Sequence, residues 1–181
     1  MNSEVVVIPY RKSDGVFSLF AGGDKHYGTV HCDEKAIREN IRKVKETPFS
    51  MWIDMGDKGE FITPHDKRWD TGVIADWLPD DNIAREIENR YCTDHESIKD
   101  KCIGLIKGNH EYNIQVHNHD NVQRNICERL GATDLGDGAF IRLIFRRRGS
   151  NEAHMFTIHA IHGGKSAQKR GGRLNQLHGQ M

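Results

Sequence analysis

The chain has 181 residues, enough for one domain with a real hydrophobic core. Hydrophobic residues make up 36% and charged residues 29%, with 26 basic against 26 acidic side chains and a net charge of zero. That composition, with a mean hydropathy of −0.69, argues against disorder; an aliphatic run no longer than Val5 to Ile8 argues against a membrane-spanning helix, and the N-terminus lacks the pattern of a signal peptide.

In chain order, strands alternate with Gly-rich corners and helices. Val16 to Ala21 is a predicted buried strand stopped by Gly22-Gly23. Asp33 to Glu46 is a predicted helix, because Ile37, Ile41 and Val44 share one face and Lys, Arg and Glu the other. Phe49 to Met55 reads as a second strand, ended by Gly56. Lys58 to Pro79 fits neither period, and its two tryptophans, Trp69 and Trp77, point to an ordered loop. Asp80 to Tyr91 is a predicted short helix and Cys102 to Lys107 a third strand. Asp120 to Leu130 is a predicted helix with Asp120 as N-cap, a stripe of Val122, Ile126 and Leu130, and Gly131 as its stop. Ala139 to Arg146 and His154 to Ile161 read as a hairpin. The alternation predicts an α/β fold in a single domain over residues 1–181. From residue 141 onward there are eight Lys or Arg and one acid, Glu152. Such a basic end suits phosphate-bearing partners, and equally a solvated surface.

Four predicted strands finish in side chains that bind metals. The corners read Asp24-Lys25-His26, Gly56-Asp57, Gly108-Asn109-His110-Glu111 and His162-Gly163. Side chains just beyond the carboxyl ends of strands in an open α/β sheet converge in one crevice. Carboxylates, an amide oxygen and imidazoles form an oxygen and nitrogen set suited to Mn, Fe or Zn. The four cysteines are scattered without a C-x-x-C pair, so a reduced, cytoplasmic protein is expected. Gly164-Lys165-Ser166 lacks the upstream glycine of a P-loop, since His159 stands there. His159 reads as a strand histidine and His117 and His119 as a surface pair. Lys67, Arg68 and Lys165 are candidate phosphate contacts.

These motifs, in this order, resemble the calcineurin-like metallophosphoesterases, whose pattern runs D-x-H, G-D-x-x-[DNE], G-N-H-[ED], H-G and G-H-x-H. The matching span is about residue 16 to 164. The long loop and the Gly-rich basic tail are similar to a phage and prophage branch. The resemblance implies a four-layer αββα sandwich and two divalent ions, manganese first, with iron, zinc or nickel as alternatives. Asp24 and His26 would hold one ion, Asp57 would bridge, and Asn109 and His162 would hold the other. His110 would be catalytic, facing the phosphate and protonating the leaving oxygen. The implied reaction is hydrolysis of a phosphomonoester or phosphodiester, with nucleic acid as one such substrate, by in-line attack of a hydroxide. The pattern's final G-H-x-H and the strand carrying it are missing from this sequence. The expectation is therefore a shortened chain with weaker metal binding, or a metal- and nucleic-acid-binding module without catalysis.

Overall fold

A computed structural model describes residues 2–64 and 69–163. Its strands are β1 (Asn2–Tyr10), β2 (Ser18–Gly22), β3 (Ser50–Asp54), β4 (Cys102–Ile106), β5 (Asp134–Gly136), β6 (Gly138–Arg147) and β7 (Ala153–Ile161). Its helices are α1 (Glu34–Glu46), α2 (Ile83–His95), α3 (Asn109–Asn118) and α4 (Val122–Leu130). Two sheets form. One is parallel throughout in the order β2-β3-β4-β5; in the other, β6 lies between a parallel β1 and an antiparallel β7. The protein is thus mixed α/β with a parallel sheet, as the alternation predicted.

Side-chain alternation builds the layers. On β3, Trp52 points to the helices and Ile53 to the second sheet. The helix side gathers Ile41 and Val44 of α1, Ile87 and Tyr91 of α2 and Ile126 and Leu130 of α4. The inter-sheet side gathers Ile103 and Ile106 of β4, Ile8 of β1 and Ile141 and Leu143 of β6. Burying an aliphatic side chain of this size contributes about 2 kcal/mol. Helix, sheet and sheet give three layers among the described residues. None of the described residues covers the outward face of β1, β6 and β7, where Val5, Val7, Phe140 and Met155 are exposed.

Several local expectations are corrected. α4 is capped by Asn121, whose side chain accepts from the Arg124 N–H at 3.1 Å; Asp120 is not the cap. The helix expected from Asp80 runs instead from Ile83 to His95, because Asn82 sits in the left-handed region with φ 52° and the helical turns begin after it. The first predicted strand is shifted to Ser18–Gly22, and the expectations missed β1, α3 and β5. α1 matches well: Asp33 accepts from the Ala36 N–H at 2.9 Å, as an N-cap should.

Candidate metal centre

The five expected ligands lie just beyond strand ends. Asp24 and His26 follow β2, Asp57 follows β3, Asn109 opens α3 after β4, and His162 follows β7. The first two corners run side by side as a backbone ladder. Asp24 N donates to Gly56 O at 2.9 Å, Lys25 N and His26 N both donate to Asp57 O, and Tyr27 N donates to Lys58 O. Asp24, His26 and Asp57 have φ of 52°, 49° and 52°. Asp and His enter the left-handed region more readily than most non-glycine residues, and such backbone clusters at functional sites.

The side chains meet. One ligand atom each from Asp24, Asp57 and His162 lie within 4.8 Å of one another, and so do those of His26, Asp57 and His110. Asp57 belongs to both groups. Its Oδ1 accepts the His110 N–H at 3.0 Å, while its Oδ2 lies 3.3 Å from His162 Nε2. His162 Nδ1 donates to the Met55 carbonyl at 2.8 Å. That bond turns Nε2 inward, towards Asp57 Oδ2 and towards Asn109 Oδ1 at 3.0 Å. Two oxygens and a ring nitrogen converge there, and positive charge, from a cation or from the Nε2 proton of His162, satisfies the oxygens. The residues therefore fit a hard or borderline divalent cation.

On the other side, His110 Nδ1 donates to the Glu60 carbonyl at 2.6 Å, and its ring meets His26 edge to face with centroids 4.8 Å apart. His26 Nδ1 lies 2.8 Å from Glu60 Oε2. The bond to Glu60 raises the His26 pKa above 6.5 against the opposing effect of burial, and the Asp57 and Asp24 carboxylates add to the rise.

Two buried groups to which the sequence patterns assign no role of their own hold these corners in place. Glu111 is fully buried and accepts the backbone N–H groups of Gly108 at 2.7 Å, Asp57 at 3.1 Å and Lys58 at 2.6 Å. It locks the Asp57 and Asn109 corners together. The Lys58 ammonium, also fully buried, donates to Ile106 O and Gln123 Oε1, both at 2.7 Å. Asp54 lies behind them, paired with Lys25 and accepting from Tyr91 Oη at 2.9 Å. Burial pushes the Asp54 carboxyl up, but Lys25 and Lys58 more than offset it, leaving its pKa at about 2. The acidic residue after Asn109-His110 was the available signal for Glu111; Lys58 and Asp54 carry no spacing that marks them.

Other expected residues fall elsewhere. His117 and His119 are exposed at the far end of α3, as a surface pair should be. His159 stacks on Phe140 at 4.7 Å on the open sheet face. Trp77 packs as loop core, its indole donating to Glu34 Oε1 at 2.7 Å. Lys67, Arg68 and Lys165 lie outside the described residues. Compared with protein-family models, curated proteins and solved structures, the chain matches none.

Proposed function

We propose that the protein is a phosphoesterase of the calcineurin-like type that uses two divalent cations to hydrolyse phosphate esters. The observation that carries this reading is the convergence of Asp24, His26, Asp57, Asn109 and His162 from the ends of four strands in two sheets. Asp24 and His26 would hold one cation, Asn109 and His162 the other, with Asp57 shared. When bound, such a pair lowers the pKa of water and neutralises charge on phosphoryl oxygens. In the overall reaction a water oxygen attacks phosphorus, the bond to the alcohol oxygen breaks, and the alcohol leaves with a proton. His110 is suited to supply that proton: its Nδ1 is fixed on Glu60 O and its other nitrogen is free to carry it. Its backbone N–H, on Asp57 Oδ1, keeps the shared carboxylate in position.

The experiment is hydrolysis of an aryl phosphate ester in Mn²⁺. Asp57→Ala is expected to abolish turnover and His110→Ala to reduce it by about a hundredfold or more. Full metal-stimulated turnover in Asp57→Ala would sink the reading.

A second reading, a metal- and nucleic-acid-binding module, is favoured by one observation. Among the described residues, the outward face of β1, β6 and β7 carries Arg142 and Arg146 and no acidic side chain. Salt-sensitive retention of DNA on a filter, lost in the double variant Arg142→Ala with Arg146→Ala and unaccompanied by hydrolysis, is the outcome that favours it.

A further inference from the structure

A cavity of about 990 Å³ opens beside the candidate centre. The two share a mouth, since Asp24, His26 and His110 line both. From there the cavity runs between β2 and α1, walled by Phe20, Ile37, Ile41, Val44, Trp52 and Ile98. Polar groups, His31, Asp33 and Asn40, stand along α1 and the loop before it. Among the described lining residues, Lys25 is the sole lysine or arginine, and Asp54 already pairs its ammonium.

We infer that this cavity receives the organic part of the ester, and that this part is bulky, apolar and uncharged. The substrate class is then a phosphate ester of an aryl or comparably apolar alcohol, with its phosphoryl group at the Asp24 and Asp57 end. This rests on the phosphoesterase reading for its chemistry; the cavity stands independently of it. The size lies at the upper end of small-molecule pockets, which are mainly apolar with a few placed polar groups. Each methylene buried there adds about fourfold in affinity. Among the described residues of the wall, a polyphosphate or nucleic-acid strand finds no unpaired cation, and three acids, Asp24, Asp33 and Glu60, beside it. Taking its charges out of water there is unfavourable.

The test compares naphthyl phosphate with glycerol phosphate in Mn²⁺, together with calorimetric titration of naphthol in the absence of metal. KM is expected to be at least tenfold lower for naphthyl phosphate, and naphthol is expected to bind saturably. In Ile37→Glu, which sets a carboxylate in the wall, the two KM values should converge and naphthol binding should be lost. If Ile37→Glu shows no cooperative unfolding, Ala36→Phe takes its place: the added ring narrows the cavity beside Ile37 and should raise KM for naphthyl phosphate selectively. Turnover on both esters without discrimination and without naphthol binding overturns the inference and leaves the phosphoesterase reading intact. Saturable naphthol binding, lost in Ile37→Glu, with no turnover on any ester upholds the cavity and overturns the phosphoesterase reading.

Discussion

Gly108 shows how tightly the candidate centre constrains a single residue. A Cβ placed there would stand 2.2 Å from both the backbone nitrogen and the Oδ1 of Asp57, and 2.6 Å from Glu111 Oε2. None of these can retreat. The Asp57 nitrogen and carboxylate are held by Glu111 and by the His110 N–H, and Glu111 by three backbone donors. Gly108→Ala is therefore expected to cost about 1–3 kcal/mol, the range for overpacking a filled interior. On the two-cation reading it should also abolish stabilisation by Mn²⁺, because the displaced group is the proposed shared ligand. Gly22→Ala is the control: a Cβ there meets nothing within 4 Å. Thermal unfolding with and without Mn²⁺ reads both effects. Equal behaviour of the two variants would show that the Asp57 corner is looser than these distances require.

Helix α2 carries a pH signature of its own. His95, in its last turn, stacks on Tyr91 at 4.1 Å, and its Nδ1 bonds the Tyr91 carbonyl at 2.8 Å. Burial, reinforced by the Lys25 charge, lowers its pKa from 6.5 to about 3. The folded value lies below the unfolded one, so on acidification the unfolded chain takes up the proton first. The contribution of His95 to stability is whole above about pH 6.5 and is lost as pH falls towards about 3. The slope for one proton is about 1.4 kcal/mol per pH unit. His95→Phe keeps the stacking and has no proton to gain, so its stability should fall less steeply than the wild type's between these limits. Chemical unfolding at several pH values tests this; parallel slopes would refute it. Other elements differ in how openly the sequence announces them. α1 was legible because Ile37, Ile41 and Val44 repeat with the helical period behind an Asp33 cap. α3 was not: Tyr112 and Val116 are exposed and Ile114 is buried, which leaves no apolar stripe. β1 escaped because Val5, Val6 and Val7 form an unbroken run that hides its two-residue alternation. The candidate ligands were legible because each sits in a Gly-marked corner beyond a strand. Glu111 and Lys58 act on backbone from corners about fifty residues apart, a relation that only folding creates.

At the scale of the molecule, the centre joins two sheets. Asp24, His26, Asp57 and Asn109 come from the parallel sheet, whereas His162 comes from the end of β7 in the other. Without metal, His162 already links the sheets through its bond to Met55 O, a contact worth about 1 kcal/mol. Cations held between Asp57, Asn109 and His162 would add a second link, present in the folded state alone. At Mn²⁺ about a hundredfold above its Kd the added stability is about 2.7 kcal/mol. For a chain of this size that raises Tm by about 5–10 °C. His162→Ala separates the two links. The metal-free variant should lose only the small increment of the Met55 bond. Its Mn²⁺-dependent rise in Tm should shrink by about 3 °C or more, and calorimetric titration should show one Mn²⁺ bound at the His26 side and the other weakened at least tenfold. If His162→Ala keeps the full Mn²⁺-dependent rise and both equivalents, the ion does not bridge the sheets, and the convergence of His162 on Asp57 is packing alone.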